Sequence, residues 1–301
     1  MKYSSNNRVI ERSMVIADFF KENAMVRMMS FLTVLAFLGG LLTAQEADKS
    51  DAVQDVPSGK INWTKQYVYA TGSGAPDLKA PNVAVARLGA ERVAKADAYR
   101  NLLEAIKGVT VVGTTTMKNS MEESMEVKTS VEGLVKGAEI VTTKYYSDGG
   151  VDVVIRVPLS SLYDKAAATG AADKELASKE SVKAGAVAPA ADAKKTLVFD
   201  ARGLKFAPTM FPAVYTDDGK IVYSKKQVKD EALKTNGVAR YVKNDLDAVA
   251  ALYGDAATLL VVKASKLKNK SDLVVGAAEV TAIQTKLVPD ALSEGRVVIL
   301  Y

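Results

Sequence analysis

The 301 residues contain no cysteine and no histidine. Without cysteine there are no disulfides, so a chain working outside the cytoplasm must hold together by packing or assembly. The same two absences exclude zinc sites of the usual Cys/His kind, haem ligation, and nucleophilic catalysis by Cys-His or Ser-His-Asp groups. Carboxylate chemistry is the acid/base chemistry left open. Runs of like charge are also missing: 40 Lys and Arg face 35 Asp and Glu, with no block of five or six of one sign. The basic pI reflects scattered lysine and gives no reason to expect nucleic-acid binding.

One long uncharged run is present. Met28 to Gln45 carries no charge, Arg27 stands just before it, and it closes on Leu42-Thr43-Ala44. A positive flank, an apolar run and a small residue at the end describe an export signal cleaved after Ala44. A retained membrane anchor is the alternative, since the run is at the lower limit for spanning a bilayer. Gly39-Gly40 weakens it as a helix and favours cleavage. The residues ahead of Met25 are long and mixed in charge for such a leader, which points to Met25 as the initiator. Residues 1–44 are therefore expected to be a signal peptide, and the mature chain to be soluble in the periplasm.

Beyond it, residues 45–60 are polar with Pro57 and Gly59 and read as a flexible lead. Residues 61–164 read as one domain. Ile61 to Thr71 is a strand, with Trp63, Tyr67 and Tyr69 on one face as a candidate interaction face. The turn Gly72-Ser73-Gly74-Ala75-Pro76 follows. Asn82 to Lys107 has apolar residues at helical spacing, a plausible N-cap in Asn82 and a stop at Gly108. Val109 to Thr116 is β-branched and reads as a strand. Lys118 to Lys136, with Met117, Met121 and Met125 four apart, admits a helix or an exposed β excursion. Two strands flanking Ser147-Asp148-Gly149-Gly150 make a hairpin. Residues 165–194, rich in alanine and lysine, read as a linker. Residues 195–301 form a second domain with strands at 197–201, 213–216, 221–224, 259–264, 273–275 and 296–301, and helices at 245–253 and 279–286. The fold class is α+β: a βαββ-type domain with one long helix on a small sheet, a linker, and a second small α+β domain.

No catalytic, metal or cofactor constellation emerges, and an enzyme is not expected. Gly72-x-Gly74 fails as a dinucleotide turn because Asp77 occupies the third glycine position and two prolines intervene; turn geometry explains the glycines. Ser265 and Lys268 have the spacing of a serine-lysine enzyme motif but lead into Asn269-Lys270-Ser271-Asp272, read as a solvated loop. Asp217-Asp218 before glycine is hairpin chemistry. Asp200 and Arg202, two apart on a strand, read as a structural ion pair.

Two blocks carry a family resemblance. Ala96-Asp97-Ala98-Tyr99-Arg100-Asn101-Leu102-Leu103-Glu104-Ala105-Ile106-Lys107-Gly108-Val109, after Gly72-x-Gly74, resembles the core of the LPP-twenty lipoprotein family. Phe199-Asp200-Ala201-Arg202-Gly203-Leu204, with Pro208, Pro212, Gly219 to Tyr223, Leu260 to Ala264 and Gly295 to Ile299, is similar to a region that follows that core in longer members. The resemblance implies a bacterial envelope protein, often associated with the outer membrane, and in several members part of ring structures around the flagellar motor. Family lipoproteins carry an acylated cysteine after the signal; here the position is Gln45, so a lipid anchor is excluded and retention at the envelope falls to protein partners. The expected function is a non-enzymatic envelope structural or assembly protein, a homo-oligomer, possessing no cofactor. A periplasmic ligand- or glycan-binding module using Trp63, Tyr67 and Tyr69 is the alternative.

Overall fold

A computed structural model describes residues 50–182, 193–253 and 256–301. The signal peptide, Met25, the first residues of the lead and part of the linker lie outside the described residues.

The chain opens with a hairpin, β1 (Val53–Val56) and β2 (Gly59–Asn62), followed by β3 (Tyr67–Gly74). The predicted flexible lead is thus half wrong: residues 53–60 pair in register, Val53 opposite Asn62 and Val56 opposite Gly59. Pro57 and Ser58 form the hairpin turn and Gly59 opens β2, so these residues do not mark a flexible segment. The long helix follows as α1 (Val83–Lys107), with the Asn82 side chain accepting from the Val85 N–H at 2.9 Å. A short hairpin of β4 (Thr110–Val112) and β5 (Thr115–Thr116) leads to α2 (Met117–Glu123) and α3 (Met125–Lys136). The undecided stretch is therefore helical. Met117 and Met121 are buried, whereas Met125 is exposed and Val127, Val131 and Val135 make the buried stripe of α3.

Two long strands, β6 (Glu139–Tyr145) and β7 (Val151–Pro158), complete the first sheet in the order β1-β2-β3-β7-β6, antiparallel throughout. One face, built by Val68, Ala70, Val151, Val153 and Ile155, is buried; strict alternation along β7 sends Asp152, Val154 and Arg156 to the other.

The helix lies against β3, and the contact requires glycine. A Cβ on Gly72 would sit 2.6 Å from the Ala98 Cα, and one on Gly74 2.9 Å from the Ala94 nitrogen. Opposite them α1 presents Ala90, Ala94 and Ala98, four apart and fully buried. Gly72 and Gly74 are strand residues pairing with Val153 and Val151, not a turn. Two helix side chains finish the contact. Strand β2 pairs with β3 only at Tyr67 to Tyr69, leaving the next polar groups on that edge uncovered. Asn101 donates to the Thr71 carbonyl at 2.9 Å, and Asp97 accepts from the Ser73 N–H at 3.1 Å.

The expected linker begins instead with α4 (Ser160–Ala168) and α5 (Ala171–Leu176), burying Ala166, Ala172 and Leu176. Its alanines let these helices pack closely; composition alone did not separate this from a flexible tether. The second region contains β8 (Thr196–Asp200), β9 (Val214–Thr216), β10 (Ile221–Tyr223), α6 (Asp230–Asn236), β11 (Arg240–Val242) and α7 (Leu246–Tyr253). Then come β12 (Leu259–Lys263), β13 (Lys266–Leu267), β14 (Leu273–Val275), α8 (Ala277–Lys286), α9 (Asp290–Ser293) and β15 (Val297–Leu300). A parallel sheet runs β11-β15-β8-β12, and a mixed sheet runs β10-β9-β14-β13. Both strands and helices match the α+β expectation, with β15 in the interior of its sheet.

The two regions share one core. Phe211 N donates to the Val111 carbonyl at 2.9 Å and Met210 N to the Thr110 carbonyl at 2.9 Å, so residues after β8 dock on β4. Thr64 donates to the Tyr241 carbonyl at 2.6 Å, and Trp63 packs edge-on against the Tyr241 ring at 5.5 Å.

Replacing Gly72 with Ala should lower stability by about 1–3 kcal/mol, because the added methyl forces helix and strand apart. Gly89→Ala, on the helix face where nothing lies within 4 Å of the added carbon, should raise it by about 0.5–1 kcal/mol. Urea denaturation midpoints of the two variants should therefore move in opposite directions.

Candidate interaction surface

The three aromatic residues expected on one face do not share it. Trp63 follows the end of β2 and is fully buried, its indole N–H donating to Gln54 at 2.8 Å. Tyr67 and Tyr69 do lie together on the open face of the sheet, ring centroids 6.0 Å apart. Alternation along a single strand from Ile61 to Thr71 would have aligned all three; the turn between β2 and β3 interrupts it. The tyrosine pair is itself occupied: the Arg156 guanidinium lies over Tyr67 at 4.3 Å and pairs with Glu139 at 2.9 Å. Hydrogen bonds that Arg156 donates to Glu139 and Tyr69 push its pKa up, so it stays charged.

Asp200 and Arg202 meet at the end of β8. Both carboxylate oxygens accept from the guanidinium, at 2.9 and 2.7 Å, and Oδ1 also accepts from the Arg202 N–H. The Arg202 contacts hold the Asp200 carboxyl below its usual range. Arg202 sits in the turn after the strand, which makes this a strand-end lock. Asp218 bonds Thr216 and pairs with Lys220, and Asp217 pairs with Lys266 at 3.0 Å, so the hairpin acids are each engaged. Ser265 donates to the Val274 carbonyl at 3.0 Å. Among the described residues, no three acidic side chains converge as a metal site would need.

A different surface stands out. Among the described residues, nine of the twelve large hydrophobic residues that are exposed lie at Leu78, Val83, Val85, Leu88 and Val93, or at Ile140, Val141, Tyr145 and Tyr146. They thus belong to the approach and amino-terminal half of α1 and to β6. Val85, Leu88 and Gly89 lie on the side of α1 turned away from Ala90, Ala94 and Ala98, grouped around Arg92, with Val93 on the flank, so the helix carries a second set of apolar residues. The two clusters are adjacent, since Tyr145 of β6 donates to Glu91 of α1 at 3.0 Å and Arg87 lies over the Tyr145 ring at 5.7 Å. Lys95 and Tyr145 together depress the Glu91 pKa.

Strand β6 is an edge, with six of its seven residues exposed. Its pairing with β7 slips between Ile140 and Thr142. A bulge and a lysine, Lys144, on an edge strand discourage continuous strand addition. The helix stripe is consequently the flatter and more regular part of the surface.

One perturbed acid lies elsewhere. Ser271 and Asp272, expected in a solvated loop, are buried. Asp272 accepts from the Ala213 N–H at 3.0 Å and from Asn269 at 2.9 Å, and desolvation pushes its carboxyl up to about 6. The sequence carries a faint signal, an Asn three residues before the Asp that can close a local turn. Its folded pKa exceeds its unfolded one, so its contribution to stability is full below about pH 4 and falls away as pH rises through about 6. In Asp272→Asn, stability measured across this range should fall less steeply than in the native protein, by on the order of 2 kcal/mol between the ends.

Comparison with known proteins follows the same division. Residues 57–158 match the family model of the LPP20 lipoprotein, and residues 196–301 match that of the second domain of Treponema pallidum Tp0624. A search of the curated proteins returns no match to the chain. The first segment is an LPP20-like domain, and its residues 96–107, in the carboxy-terminal half of α1, supply Asp97, Ala98 and Asn101 to the strand contact.

Proposed function

We propose that this LPP20-like protein is an exported, non-enzymatic structural or assembly component of the bacterial envelope, a flagellar-motor or outer-membrane accessory that works as a homo-oligomer. The family name supports an envelope location. The lipoprotein part of that name does not carry over, because the 301 residues include no cysteine to hold an acyl chain. Among the described residues, no helix is long and apolar enough to cross a membrane. We assign retention at the envelope to protein contacts.

The observation that carries assembly is the apolar outer stripe of α1. A helix whose two opposite faces are both apolar has one face more than its own domain buries. The occupant we assign to it is a second copy of the chain, related by a two-fold or by head-to-tail repetition. Arg92 lies within this outer side, whereas Arg87 and Glu91 face β6, where both meet Tyr145. A ligand- or glycan-binding module retains Tyr67 and Tyr69 but loses Trp63 to the core.

Light scattering during gel filtration of the mature chain should give a mass above that of the monomer, rising with concentration. Val85→Asp combined with Leu88→Asp should shift the population to monomer while leaving the circular dichroism spectrum unchanged. A native protein that stays monomeric at high concentration and fractionates away from the envelope would overturn the proposal.

A further inference from the structure

The geometry points to an oxyanion site, of the phosphate class, formed by Lys179 and Lys268 over the ring of Tyr215. Lys179 follows α5, Lys268 follows β13 and Tyr215 lies in β9, so three separate parts of the chain meet here. The Lys179 ammonium stands 4.4 Å from the ring centroid and the Lys268 ammonium 4.0 Å from it. Lys179 also donates to the Tyr215 hydroxyl at 3.3 Å.

Two cations sharing one ring repel each other, and the tyrosine face offers each only a partial compensation. Several other lysines of this protein take carboxylate partners, as Lys95 does with Glu91 and Lys225 with Asp173. Among the described residues, no carboxylate oxygen comes within 4.0 Å of either Lys179 or Lys268. The two nearby acids are turned to other tasks. Asp272 directs both oxygens at Ala213 and Asn269, and Glu175 lies against Gly113 of the β4–β5 turn. Burial and the neighbouring Lys268 lower the Lys179 pKa, while Glu175 and Asp272 partly restore it.

An oxyanion between the two ammoniums removes the repulsion and supplies acceptors for donors that Tyr215 leaves unused. Lys268 is exposed and Lys179 half-buried, so the position is open to solvent on one side and backed by the ring on the other. A phosphate could arrive free or as part of a lipid headgroup.

Calorimetric titration of the mature protein with inorganic phosphate tests this. Saturable binding is expected, weakened about tenfold or more in Lys179→Gln and in Lys268→Gln, and unchanged in Lys225→Gln. Repeating the titration in buffers of different ionisation enthalpy should show proton uptake on binding by the native protein, and none in Lys179→Gln, because an anion raises the Lys179 pKa. Co-sedimentation with phosphatidylglycerol vesicles, lost in both variants, would identify a headgroup as the source; phosphate binding without vesicle binding would identify a free anion. Heats no larger than dilution, or binding equal in both lysine variants and the native protein, would overturn the assignment.

Discussion

The distance between α1 and β3 sets the rest of the structure. Glycine at 72 and 74 and alanine at 90, 94 and 98 let backbone meet backbone, which positions the helix squarely over β3 and β7. From there Leu102, Ala105 and Ile106 reach the floor of the core beside Val109 and Val111. The same seating brings Asp97 and Asn101 to the half-covered edge of β3, where they satisfy groups that a neighbouring strand would otherwise take. A bulkier residue at either glycine would disturb packing, edge and floor together.

Close seating on one side leaves the helix prominent on the other. In the amino-terminal half of α1 only alanine faces inward, and the larger Val85, Leu88 and Val93 are exposed. The bulged β6 alongside limits how a partner can approach, favouring side-chain packing on the helix over extension of the sheet. At the opposite end of the molecule, the shared core around Trp63, Tyr241 and Phe211 binds the LPP20-like domain to the region that follows it.

Local signals in the sequence were sufficient where structure is local. The cap at Asn82, the stop at Gly108 and the turns at Asp148-Gly149 and Asp218-Gly219 identified their elements because each depends on residues a few positions apart. Features set by distant partners were not legible. Residues 53–60 look polar and flexible until β3 supplies the edge on which their hairpin docks. Alanine-rich residues 165–176 look like tether until Tyr163 and Leu176 are seen to pack against β-strands and turns far away in sequence. Trp63 was placed on a strand face because nothing nearby reveals Tyr241, 178 positions later. The lysine pair at Tyr215 is not legible for the same reason, since Lys179 and Lys268 lie far apart in sequence, one in the alanine-rich stretch and one before a loop.

The parallel sheet has a temporal consequence. β15 lies between β8 and β11, so the two strands it joins have no direct contact with each other until it arrives. It is also the last of the four to be synthesised. The sheet cannot close around an incomplete chain, and Tyr241, carried on β11, reaches the Trp63 junction only as part of that closure. Long-range parallel pairing of this kind is slow, so the strands already made wait for β15 with their apolar faces unpaired.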